Sequence, residues 1–92
     1  MCESKIQTEI LRWLERNDCY VVKVVIANKS GVPDILFCKD GLFYAVEVKA
    51  TGKKKNTTKL QDLNLEKIRS SGGKAIVTDN LSDVIKMIKG LT

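Results

Sequence analysis

The sequence predicts an α/β fold: a four-stranded mixed sheet flanked by helices, in the order α-β-β-β-α-β-α. Three observations carry this. Ile6, Ile10, Leu11, Trp13 and Leu14 recur at helical spacing near the start. Two apolar runs then flank Lys39-Asp40-Gly41, whose Asp-Gly pair is a strong hairpin signal. A second helical stretch separates this hairpin from a last apolar run, Ala75-Ile76-Val77. A strand meander followed by a helical crossover gives a mixed sheet with helices packed on it.

The elements follow in order. Glu3 to Asn17 reads as an amphipathic helix, with Asn17-Asp18 as its stop. Tyr20 to Ile26 is β-branched and reads as a strand, and Asn28 to Pro33 is rich in turn residues. Asp34 to Cys38 and Leu42 to Ala50 form the hairpin strands, and Ile35-Leu36-Phe37 suggests burial on both faces. Thr51 to Thr57 is a polar, lysine-rich loop. Thr58 to Ser71 is the second helix, ended by Gly72-Gly73, since glycine favours helix C-termini. Lys74 to Thr78 is the fourth strand, and Ser82 can cap a last helix running through Lys89.

The bulk properties bound the function classes. Ninety-two residues make one domain, expected to span residues 1–92. No apolar run is long enough to cross a bilayer, and Met1-Cys2-Glu3-Ser4-Lys5 lacks the apolar segment of a secretory signal, so a cytoplasmic location is expected. Cys2, Cys19 and Cys38 form no Cys-x-x-Cys pair, and Cys19 and Cys38 read as small buried hydrophobes. The chain has no histidine, which excludes histidine zinc sites and Ser-His-Asp or Cys-His catalysis. Acid–base chemistry must come from carboxylates, lysine or a metal. The net charge of +5 suits a polyanionic partner without proving one.

The chemistry concentrates between Gly31 and Lys49. Gly31-Val32-Pro33-Asp34 ends a loop with an acid, and Glu47-Val48-Lys49 sits in the second hairpin strand. Glu47 and Lys49 are two apart and project from one face. An ordinary half-buried strand explains their alternation with Val46 and Val48. The hairpin spacing explains more, because it brings Asp34 to Glu47 with Lys49 beside them. Two carboxylates and a lysine can hold a divalent cation, an activated water and a phosphodiester. Pro33 and Gly31 read either as a plain turn or as a rigid mount for Asp34.

Three further features have two readings each. On a helical wheel Glu3 and Gln7 fall within the apolar arc, Glu9 at its edge. Glu3 is either a helix-start acid helped by the macrodipole or a carboxylate aimed at the site. Gln61 is either the end of a Thr58-Lys59-Leu60-Gln61 capping box or a site residue, since it lies with Leu60, Leu65 and Ile68. Lys53-Lys54-Lys55 and Lys59 are either a solvated loop or a phosphate grip beside the acids.

Together these residues resemble the VRR-NUC family, the virus-type replication-repair nucleases of the PD-(D/E)xK superfamily. The matches are Glu3-Ser4-Lys5-Ile6-Gln7, Gly31-Val32-Pro33-Asp34, Glu47-Val48-Lys49-Ala50, Thr58 three before Gln61, and Gly72-Gly73 before the last strand. Glu3 fits the motif and the wheel better than Glu9. The resemblance implies a PD-(D/E)xK nuclease core, Mg²⁺ or Mn²⁺ as cofactor, and DNA as substrate. It implies Asp34, Glu47, the Val48 carbonyl and Glu3 as metal ligands. Lys49 and Gln61 complete the catalytic set, and Lys53, Lys54, Lys55, Lys59 and Gln7 contact DNA. Stand-alone members of this kind resemble homodimeric Holliday-junction resolvases that act on branched DNA. A monomeric flap or nicking endonuclease is the other enzymatic expectation, and a non-catalytic DNA-binding module on a nuclease fold is the alternative from another class.

Overall fold

The computed structural model describes residues 1–90. The elements are α1 (Glu3–Arg16), β1 (Tyr20–Lys23), β2 (Ile35–Lys39), β3 (Leu42–Val48), α2 (Lys59–Ser70), β4 (Lys74–Thr78) and α3 (Leu81–Ile88). The sheet order is β1-β2-β3-β4. β1 to β3 form an antiparallel meander, and β4 lies parallel to β3 after the α2 crossover. The expected mixed four-stranded sheet with flanking helices is the one observed.

Lys39 pairs with Leu42, so Asp40 and Gly41 are the whole β2–β3 turn. Both have positive φ, 51° and 79°, as a type I′ turn requires. That turn fixes the register, which sets Ile35 opposite Val46 and stacks Phe37 on Tyr44 with ring centroids 4.6 Å apart.

The two faces of the sheet carry different loads. Ile6, Ile10 and Leu14 of α1 and Val84 and Met87 of α3 pack on Ile35, Phe37, Tyr44, Val46 and Val48. The opposite face holds a smaller cluster of Ala45, Ala75 and Leu65, the last from α2, with Leu36, Ile68 and Val77 against it. β2 is therefore buried on its α1/α3 face, but on the other face Leu36 is half-buried and Cys38 exposed, so the burial on both faces that its apolar run suggests is only partial. Alternation along β3 sends Val46 and Val48 to the α1/α3 core and turns Glu47 toward α2.

Three local expectations are corrected. β1 ends at Lys23, not Ile26. The last contact of this pair is Val24 N–H donating to the Asp34 carbonyl at 2.8 Å. Beyond it the partner chain leaves extended geometry at Gly31, whose φ is +81°. Cys38 is exposed and Cys19 only half-buried. Cys38 lies on the face of β2 away from the α1/α3 core and pairs with exposed Tyr20 and Phe43. Finally, Asn80 caps α3, accepting from Asp83 N–H at 2.9 Å, while Ser82 lies inside the first turn. Among the described residues no helix is long and apolar enough to cross a membrane.

Candidate active site

Three elements deliver acids to one end of the sheet. Asp34 stands just before β2, Glu47 near the end of β3, and Glu3 at the first residue of α1. Each offers a carboxylate oxygen, and these oxygens lie within 4.8 Å of one another. Glu3 is exposed, Asp34 half-buried and Glu47 buried, so the cluster runs from solvent into the protein. Glu9, the other helix-one acid, lies instead on a surface groove with Lys5, Arg12 and Trp13.

Each acid is held by its neighbours. Asp34 Oδ2 accepts the Val48 backbone N–H at 2.8 Å, which locks the loop-end acid to the end of the strand bearing Glu47, one residue before Lys49. Glu47 Oε2 accepts from Gln61 Nε2 at 3.2 Å and lies 3.6 Å from Lys49 Nζ. Lys49 Nζ donates to Gln61 Oε1 at 3.1 Å. Burial first, and the negative Asp34 second, push the Glu47 carboxyl up to about 7, although Lys49 pulls the other way. An acid with this value is poised between its charged and neutral forms at neutral pH.

Gln61 caps α2 and also reaches the acid cluster. Its Oε1 accepts the Thr58 N–H at 3.0 Å, while its own N–H donates to Thr58 Oγ1 at 3.1 Å, completing the capping box. The same side chain bridges Lys49 and Glu47. The box thus fixes a rotamer that reaches the acids, and helix initiation and site geometry are one structure.

Gly31 explains how α2 comes so close. Its φ is +81°, and a Cβ placed there would lie 2.7 Å from the Leu60 carbonyl carbon and 2.9 Å from Gln61 N. The loop before Asp34 therefore packs on the first turn of α2 through bare backbone, as only glycine permits. Asn64 Nδ2 adds a bond to the Ser30 carbonyl at 3.1 Å. The sequence marked Gly31 as a turn residue; the contact with α2 is long-range and left no local signal.

The basic residues divide. Lys53, Lys55 and Lys59 are exposed and form no ion pair among the described residues. Lys54 differs: its Nζ lies 2.7 Å from Asp83 Oδ2 and 3.9 Å from Asp79 Oδ1. Gly52 N–H also donates to Asp79 Oδ2 at 2.9 Å. The lysine loop is thus tied to the start of α3. Sequence reasoning missed Asp79 and Asp83 because their partner is distant in the chain, although Asn80 and Asp83 do carry a helix-cap spacing. Gln7 sits half-buried one turn beyond Glu3. The structure records the Val48 N–H, bound to Asp34, as that residue's contact with the acids.

A scan of protein-family models finds no match, and neither does a search of curated proteins. Solved structures do match. One, described as "VRR_NUC domain", superposes with a TM-score of 0.74 at 28% identity, covering 98% of this chain and 97% of the other. The chain folds as a VRR-NUC domain. A second match, "VRR_NUC domain protein", has a TM-score of 0.77 at 21% identity over 97% of this chain and 86% of that one, and it supports the fold alone. The VRR-NUC comparison is nearly end to end, so the nuclease fold takes in α1 with Glu3 as well as the β2–β3 hairpin with Asp34 and Glu47.

Proposed function

We propose that this VRR-NUC domain is a metal-dependent, structure-selective DNA endonuclease, and that its substrate is branched DNA cut in the manner of a Holliday-junction resolvase. The observation that carries the reading is the convergence of Glu3, Asp34 and Glu47 within 4.8 Å, with Lys49 Nζ beside Glu47.

The donor set fits a hard divalent cation. Carboxylates at this separation repel one another, and the raised Glu47 value reflects burial first and the neighbouring Asp34 second. A dication relieves both. Oxygen donors with no histidine or thiol among them select Mg²⁺ or Mn²⁺ over softer metals. Asp34, Glu47 and Glu3 would hold it, with the Val48 carbonyl as a further oxygen ligand. Bound there, the ion supplies Lewis acidity toward the phosphodiester and the attacking water.

The chain's own groups do the rest. Lys49 carries three N–H donors and directs them at Gln61 Oε1 and toward Glu47, which leaves donor capacity for a phosphate oxygen as its charge grows in the transition state. Its ammonium also orients the attacking water. Gln61, fixed by the capping box, holds Lys49 and Glu47 in register and positions water or phosphate. Lys53, Lys55 and Lys59 grip backbone phosphates, so affinity depends on salt and little on sequence. Gln7 adds a contact beside Glu3. A two-fold dimer would set two such sites on opposed strands, as symmetric junction cutting requires.

The test is cleavage of a four-way DNA junction in Mg²⁺, Mn²⁺ or EDTA, with flap and duplex controls and sizing chromatography of the same sample. Paired symmetric nicks from a dimer, absent in EDTA, are expected. Cutting of flaps by a monomer would discard the junction reading and keep the nuclease. Tight junction binding without cutting in either metal would leave a binding module.

A further inference from the structure

The two most exposed large apolar side chains of the described residues are neighbours, Val25 at 81% and Ile26 at 90%. They stand in the loop that leads to Asp34. Val24 N–H donates to the Asp34 carbonyl at 2.8 Å, so Val25 and Ile26 are the first two residues past the neck of that loop. Two residues of extended chain reach about 7 Å, and the paired strands are about 5 Å apart, so the Ile26 backbone lies within about 12 Å of Asp34. That is no more than about four base steps of 3.4 Å.

The far limb of the loop is anchored. At its far side the Ser30 carbonyl is bound by Asn64 of α2, and Gly31 sits against the Leu60 and Gln61 backbone. Val and Ile are themselves stiff at χ1, so little side-chain freedom is lost when they dock. The surroundings indicate what they dock into. From Tyr20 to Pro33 the chain holds two lysines, Lys23 and Lys29, and no carboxylate. Both lysines are exposed and unpaired among the described residues. A χ1-stiff, exposed apolar pair between two free cations, beside a candidate phosphodiester site, has the chemistry of a wedge that enters a base stack while the cations hold the flanking phosphates.

We infer that Val25 and Ile26 insert between bases within about four base steps of the scissile phosphate and set the preference for DNA that is already unstacked at a branch. This rests on the proposed nuclease reading for the position of the cut, though the insertion itself does not require cleavage. The pair lies outside the acid cluster and is exposed, so polar replacements there leave the fold intact.

The experiment places 2-aminopurine at successive positions beside the branch of a junction and measures its fluorescence on binding in EDTA. Wild type is expected to raise the signal at one step. The double variant Val25→Ser, Ile26→Ser is expected to bind without that rise. In Mg²⁺ the variant should cut the fully paired junction about tenfold more slowly, yet cut a junction carrying two mismatches at the same step within about twofold of wild type. An equal rise from wild type and variant overturns the inference. So does a variant that turns from dimer to monomer on sizing, which would make the pair a subunit contact. A rise without cutting in Mg²⁺ or Mn²⁺ sinks the nuclease reading and upholds the wedge. Failure of wild type to bind any branched DNA removes both.

Discussion

Glu47→Gln should make this protein more stable and inactive at once. Burial and the neighbouring Asp34 raise the Glu47 carboxyl from its ordinary 4.5 to about 7. The sign follows from linkage. A carboxylate raised in the fold contributes stability that is complete below its unfolded value and is lost as pH rises through its folded value. Without metal, stability should therefore fall between about pH 4.5 and 7. At ~1.4 kcal/mol per pH unit that window is worth about 3 kcal/mol. Glutamine copies the neutral acid and still accepts from Gln61 Nε2, so the variant should escape the loss. In urea with EDTA at pH 8 its midpoint should lie roughly 1–3 M above wild type, and at pH 4 the two should nearly coincide. Mg²⁺ at pH 8 should raise the wild-type midpoint and leave the variant's in place. A variant less stable than wild type at pH 8, or a gap independent of pH, would refute the electrostatic account of this site.

Other perturbations separate structure from chemistry. Gly31→Ala forces a Cβ to within 2.7 Å of the Leu60 backbone at φ +81°, and should cost about 1–3 kcal/mol in urea denaturation while slowing cleavage, because α2 carries Gln61. Gln61→Ala should cost about 1 kcal/mol through the lost capping box and also slow cleavage, whereas Gln61→Glu should keep the box and still cut poorly, since it adds a carboxylate beside Glu47. Lys53→Ala with Lys55→Ala should weaken DNA binding and lower its salt slope by about 2, but Lys54→Ala should leave the slope unchanged, because Lys54 is held by Asp83 at 2.7 Å. An equal drop in slope for Lys54→Ala would show that DNA takes Lys54 away from Asp83.

The sequence made the fold legible wherever the signal is local. The Asp40-Gly41 turn fixes a hairpin register, and that register brings Asp34 and Glu47 together, so the core of the site was readable from spacing alone. Gln61 was legible as a cap, and its wheel position beside Leu65 and Ile68 agrees with a side chain that reaches Lys49 and Glu47. What escaped depends on distant contacts. β1 stops early because its partner chain turns away at Gly31, where φ is +81°, which the β-branched run through Ile26 does not reveal. Cys38 looked like a small core residue but lies on the face of β2 opposite buried Ile35 and Phe37, where it is exposed. Ser82 suits a cap as well as Asn80 does, and the choice belongs to the chain path out of β4. Lys54 looked like its neighbours until the fold set it against Asp79 and Asp83.

The most direct test of the central claim compares wild type with Asp34→Asn on a four-way junction in Mn²⁺. Asparagine can still accept the Val48 N–H, so the fold and junction binding should persist. Wild type is expected to cut, and Asp34→Asn to bind equally and not cut. Equal cutting by the two proteins would contradict the account and move the reaction away from the Glu3, Asp34 and Glu47 cluster.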